Sequence, residues 1–241
     1  SGLMIPNSLP PASPRKAEIM IPSTKGPIVE VSSERSRTIK EALKEDVYAK
    51  IQDINKDKEK VDVRFAFCFP DTYEIGMSHL GMKILYSLLN SREDIWCERV
   101  FAPWSDMETE MEENDLPLWA LESQDPVRDF DMVAFTIGYE MAYTSIVNML
   151  DLAGVPIYAR DRHDLSQMVF AGGVCTFNPE PLAPFFDFFS LGEGEDITVE
   201  IVSLYDRAKA ENWTKEQFLL AVSKIPGVYV PSFYRHEYNE D

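Results

Sequence analysis

Val63-Arg64-Phe65-Ala66-Phe67-Cys68-Phe69-Pro70, followed by Asp71-Thr72-Tyr73-Glu74-Ile75-Gly76-Met77-Ser78-His79-Leu80-Gly81, decides how this sequence folds. An apolar run of strand length gives way to a polar loop closed by glycine, then to a helix. In an open parallel sheet, ligands bind outside the carboxyl ends of the strands, where loops feed helix N-termini. A small-molecule crevice is therefore expected around Asp71 and Gly76.

The same alternation continues downstream. Residues 97–101, 131–138, 167–171 and 188–191 read as further strands, and the nearly continuous apolar run of 131–138 is that of a central strand covered on both faces. Residues 78–90 read as a helix with Leu80, Ile84, Leu85, Leu88 and Leu89 inward. Residues 139–153 follow as a helix with Ile146, Leu150 and Ala153 inward and Gly154 as its stop. A long helix runs from Gly192-Glu193-Gly194-Glu195 to about Ala210, another from 214 to 223 is capped by Thr214, and 227–230 is a terminal strand. Between them, 104–113 reads as a short exposed helix and 116–121 as a small extra strand. The pattern is that of an α/β fold: a doubly wound, mostly parallel five-stranded sheet, flavodoxin-like or Rossmann-like. Its crevice would gather three glycine-bearing loops, 71–76, 136–141 and 172–180.

Composition narrows the function. A chain of 241 residues with 45% apolar content can bury one large core. A net charge of -18 with no basic stripe disfavours direct nucleic-acid binding. Cys68, Cys97 and Cys175 are scattered, which argues against a disulfide framework and fits a reducing cytoplasm. No run approaches the length of a membrane span. Residues 1–37, rich in Pro, Ser and basic residues, read as a flexible arm. A capping box at 38–41 and the spacing of Ile39, Leu43, Val47, Ile51 and Ile54 give an N-terminal amphipathic helix over 38–60. The main domain is expected over 61–211, with 212–241 linking toward a partner or a downstream domain.

Six pieces in sequence order carry a family resemblance: 69–81, Glu98-Arg99-Val100-Phe101-Ala102-Pro103-Trp104, 148–154, Ala171-Gly172-Gly173, 177–183, and Leu191-Gly192-Glu193-Gly194-Glu195. Together, over about 61–235, they resemble the N-terminal cobalamin-binding-like domain of an uncharacterised branch of radical S-adenosylmethionine (SAM) proteins. Cobalamin domains of the histidine-ligating kind carry Asp-x-His-x-x-Gly after the first strand. Here that frame reads Asp71-Thr72-Tyr73-Glu74-Ile75-Gly76, with a phenol where the cobalt ligand stands. His79 lies on the following helix and is not read as the ligand. The family's later loops correspond to Thr136-Ile137-Gly138 and Gly172-Gly173.

The resemblance implies cofactor-binding residues Asp71, Tyr73, Gly76, Thr136, Gly138, Gly172 and Gly173, and cobalamin bound without histidine ligation. It implies a radical SAM barrel as partner, in cis or in trans. The iron-sulfur cluster and S-adenosylmethionine would belong to that downstream or partner domain, because this sequence lacks the closely spaced cysteine triplet. By itself the chain is expected to be non-catalytic, with no metal ligands of its own. An interaction module that kept the fold and lost cobalamin is the alternative; a flavin or nucleotide binder, which the fold alone supports equally, ranks last because no Thr/Ser-rich phosphate-binding loop follows the first strand.

Several of these residues have plainer readings. Asp71 is also an ordinary helix-entry residue, Tyr73 can simply pack its ring, and Cys175 is read as a small buried thiol. Glu193 and Glu195 fit the first turn of a helix. Trp104, Trp119, Met107 and Met111 could present apolar surface to another domain.

Overall fold

The computed structural model describes residues 18–19, 29–30 and 56–235. Residues 38–55 of the helix expected over 38–60 lie outside the described residues, as does most of the expected arm, and its end, Lys58–Lys60, forms a short 3-10 turn. Within the arm, Glu18–Ile19 and Val29–Glu30 pair as a short antiparallel ladder.

The main sheet has six strands: β1 (Val63–Phe69), β2 (Ile95–Phe101), β3 (Met132–Thr136), β4 (Met168–Gly172), β5 (Phe188–Ser190) and β6 (Val228–Tyr229). Their spatial order is β2-β1-β3-β4-β5-β6. The first five are parallel, and β6 pairs antiparallel with β5. The expected five-stranded parallel sheet is thus present, with 227–230 supplying a reversed edge. Strand order changes direction between β1 and β3, which opens a crevice at their carboxyl ends.

The helices are α1 (Tyr73–Gly76), α2 (Leu80–Asn90), α3 (Ser105–Glu113), α4 (Tyr143–Leu152), α5 (Gly194–Ala210) and α6 (Lys215–Val222). They cover both faces of the sheet. Alternation along β1 sends Phe65, Phe67 and Phe69 into one core with Met82, Leu89, Ile201, Tyr205 and Phe218. Ala66 and Cys68 point into the other, with Phe135, Ile146, Leu150, Phe186 and Phe189. Phe170 stacks on Phe188 at 4.7 Å, and Phe218 of α6 meets Tyr205 edge-on at 5.6 Å. The expected division near residue 211 therefore falls between two helices that share one core.

Two sequence readings are corrected here. The inward stripe of α2 is Met82, Leu85, Tyr86 and Leu89, while Leu80 and Ile84 are exposed. An i, i+3, i+4, i+7 set starting at Met82 buries an aromatic ring that a leucine-only stripe leaves out. Residues 116–121 form no strand; Trp119 makes one isolated bridge with Pro126. The segment instead runs along the outer edge of β2, where the Leu121 N–H donates to the Arg99 carbonyl at 2.8 Å.

That cover is fastened by buried charge. Glu122 accepts from the Arg99 backbone N–H at 2.8 Å and from Arg99 Nε at 2.7 Å. Glu98, fully buried, accepts from Trp96 Nε1 at 2.5 Å and from the Ser123 N–H at 2.6 Å. An edge strand with its polar groups satisfied in this way does not recruit another chain.

Candidate functional site

A cavity of about 210 Å³ opens at the carboxyl ends of the strands, between the sheet and helices α2 and α5. Phe65, Phe67 and Phe170 form its floor, with Phe65 and Phe170 edge-to-face at 6.0 Å. Gly172, Gly173, Gly192 and Gly194 lie along its lining, so the backbone approaches the space without side chains in the way. Its polar groups come from His79, Thr136, Ser190, Glu195 and Thr198.

Two of these hydroxyls are unusual. Ser190 is 4% exposed and Thr198 6%, and neither hydroxyl has a hydrogen-bond partner among the described residues. Both residues line the cavity, and their hydroxyls are not sealed from it, so they are free to bond water or a ligand that enters. Ser190 ends β5 after two phenylalanines, and Thr198 sits on the inward face of α5 with Ile201, Val202 and Tyr205. A polar residue closing an apolar strand, and another on an apolar helix stripe, were the sequence signals for this pair. Both went unread.

His79 is the N-cap of α2, and its Nδ1 accepts the Met82 N–H at 3.1 Å. A neutral imidazole accepting at Nδ1 carries its proton on Nε2. The imidazole is thus engaged at Nδ1 as the cap of α2, with its Nε2 side toward the cavity lining.

Thr136, Gly172 and Gly173 line the cavity, whereas Asp71, Tyr73, Gly76 and Gly138 do not. Asp71 accepts from the Thr72 N–H at 2.7 Å and from the Tyr139 hydroxyl, tying the β1 loop to the β3 loop. That bond pushes the Tyr139 phenol above its ordinary pKa, with partial burial adding to it. Tyr73 packs edge-on against Phe101 at 5.5 Å. Gly76 is buried where a Cβ would lie 2.3 Å from Phe101 Cε1, so packing alone demands glycine. Gly138 faces open space, with nothing within 4 Å of a Cβ. Gly173 has φ +103°, and its Cβ would stand 2.7 Å from the Ile137 carbonyl oxygen.

Around the mouth, Ile75, Leu80, Trp104, Met141, Val174 and Phe177 are all exposed, Met141 at 88% and Phe177 at 73%. They project from the loops that follow β1, β2, β3 and β4, with the acids Glu74 and Glu140 beside them. Elsewhere, Asp187 is buried at the start of β5 against Arg162 at 3.0 Å and Lys215 at 2.5 Å, a structural cluster. Cys68 and Cys97 are buried and Cys175 is half-buried. Among the described residues, no helix is long and apolar enough to cross a membrane.

Residues 81–231 match the family described as "Radical SAM proteins, N-terminal". The chain belongs to this family. Among its relatives is an uncharacterized protein of Methanocaldococcus jannaschii, 24% identical over 142 residues; the match covers 57% of this chain and 26% of that protein. The chain thus spans about a quarter of that relative's length. A solved structure of the radical S-adenosylmethionine methyltransferase TsrM from Kitasatospora setae, with cobalamin and a 4Fe-4S cluster bound, aligns at a TM-score of 0.42 and 15% identity. That alignment covers 69% of this chain and 28% of TsrM. Members of this family are by description the N-terminal parts of radical SAM proteins.

Proposed function

We propose that this chain is the accessory, cobalamin-binding-type domain of a radical SAM enzyme, taking its cofactor without a protein histidine on cobalt. The observation that carries this reading is the strand-end cavity, with an aromatic floor, glycines along its lining and unpartnered hydroxyls inside. The residues present fit the group in this form. Tyr73 packs its ring edge-on to Phe101 outside the cavity lining, and His79 Nδ1 is taken by the Met82 N–H, so the cobalt is assigned to neither. Thr136, Gly172, Gly173, Ser190 and Thr198 would hold the part of the cofactor that enters the cavity. Cobalamin, when bound, would supply organocobalt chemistry; the cluster and S-adenosylmethionine would come with the radical SAM domain.

Incubation of the protein with hydroxocobalamin, followed by gel filtration and a visible spectrum, tests this. Coloured protein is expected, with binding unchanged in Tyr73→Phe and lost in Gly172→Val. Elution of colourless protein overturns the reading.

The exposed apolar rim favours a second role that is compatible with the first, docking against the radical SAM domain in cis or in trans. A chain that associates with a cluster-bearing barrel yet takes up no cobalamin would be an interaction module alone.

A further inference from the structure

We infer that residues 121–126 form a proton-controlled strap on the outer edge of β2, clasped shut or let go according to the ionisation of Glu122. The device belongs to the fold itself and stands whether or not a ligand fills the cavity.

The clasp is reciprocal. Glu122, on the strap, accepts from the Arg99 N–H of β2, and Glu98, on β2, accepts from the Ser123 N–H of the strap. Each carboxylate thus closes the seam on a backbone amide of the other side. Among the described residues, strap and strand are otherwise joined through the backbone by the Leu121 N–H, which donates to the Arg99 carbonyl.

The strap is also a separable unit. Leu121 to Pro126 are half-buried, between the buried Ala120 and Val127. They fold as a tight turn of their own, closed by the Gln124 N–H on the Ala120 carbonyl at 3.1 Å and the Ala120 N–H on the Asp125 carbonyl at 3.0 Å. Asp125 pairs with Lys58 at 2.5 Å and Arg64 at 2.7 Å, but these pairs are part-exposed and screened, so they restrain the turn weakly. Arg99 does not move with the strap. Its guanidinium lies over the Tyr86 ring of α2 at 4.3 Å and 3.5 Å from Met77 Sδ, which keeps it with the sheet.

Charge decides the state of the clasp. The titratable and charged groups around Glu122 are Arg99, Glu98 and Cys97 on β2 and Tyr86 on α2. Burial holds the Tyr86 phenol and the Cys97 thiol well above their ordinary values, so both stay neutral near pH 7. Glu122 is the group that changes. Burial raises its carboxyl to about 7 against the pull of Arg99, with Glu98 adding to the rise, whereas opening returns it to water and its usual 4.5. The closed strap therefore holds the proton more tightly than the open one. Its hold is complete below about pH 4.5 and is lost as pH rises to about 7, by up to about tenfold per pH unit.

Hydrogen exchange of backbone amides, corrected for intrinsic rates and followed by NMR from pH 5.5 to 8, tests the strap. Protection of the Leu121, Arg99 and Ser123 amides is expected to fall by at least about tenfold across this range and to lie below that of Val133 in β3 throughout. In Glu122→Gln the fall is expected to vanish while Val133 stays protected, which also shows that the variant folds. In Glu98→Gln the fall is expected to be complete at a lower pH, because a like charge has gone. Should either variant fail to fold, the carbon-13 shift of the Glu122 carboxyl in the wild type carries the test, with a midpoint near 7 expected. A midpoint near 4.5, a fall that persists in Glu122→Gln, or strap protection equal to that of Val133 overturns the inference.

Discussion

Gly173 sits in a left-handed conformation with the Ile137 backbone directly against it. Its pairing with Gly172 pointed to ligand approach in the sequence; the structure adds that any side chain would strike the β3 loop, whatever the ligand. Gly173→Ala should destabilise the protein by about 1–3 kcal/mol, the usual cost of a strained backbone, as read by urea denaturation. Gly138→Ala, with open space around it, serves as the near-neutral control. Glu122 yields a prediction in pH. Burial pushes its carboxyl from the usual 4.5 up to about 7, although Arg99 pulls the other way and Glu98 adds to the rise. The folded state therefore holds this proton more tightly than the unfolded chain. Its stabilising contribution is complete below about pH 4.5 and is lost as pH rises toward 7. Urea midpoints across this window should fall more steeply in the wild type than in Glu122→Gln. Asp71 and Tyr73 were singled out by their place in a motif, but motif position carries no information about rotamer. One ties two loops together and the other packs on a phenylalanine.

At the scale of elements, the strands were legible because burial on both faces leaves unbroken apolar runs, as in 131–138. Helix phase was harder to read. α2 offers leucines all round, and only the position of Tyr86, with Arg99 over its ring at 4.3 Å, shows which side is inward. Residues 116–121 have a strand's composition but spend their hydrogen bonds on the edge of β2 and on α4. Sequence spacing cannot distinguish pairing within a ladder from capping of one. The Thr214 signal was sound: its hydroxyl accepts from the Gln217 N–H at 3.2 Å, and the Gln217 side chain returns the bond at 2.8 Å. Thr214→Ala should cost about 1 kcal/mol in chemical denaturation. Phe188→Ala, which removes a ring stacked on Phe170 and edge-on to Phe218 at 6.1 Å, should cost about 3–5 kcal/mol.

For the molecule as a whole, the apolar rim and the net charge of -18 act together. A partner face that is apolar at its centre and basic around it would complement the rim and its neighbouring acids. Met141→Glu combined with Phe177→Glu should leave the melting temperature of the chain within about a degree, since both side chains are already solvated. The same pair should weaken association with a radical SAM domain by at least tenfold in a pull-down titration, on the order of 1.4 kcal/mol. Unchanged association would place the interface elsewhere.

The reversed direction of β6 has a mechanical result. After Tyr229 the chain heads toward the amino ends of the parallel strands, where Pro231 and Phe233 lie near Asp187 and Lys215. The cavity opens at the other end of the sheet. β1 is seven residues long, so at about 3.3 Å per residue the two ends stand roughly 20 Å apart. A covalently joined domain that covers the mouth must therefore be reached by a tether of at least six or so extended residues climbing the side of the sheet. Shortening that tether would strand the two domains on opposite ends, whereas a partner supplied as a separate chain would be indifferent to its length.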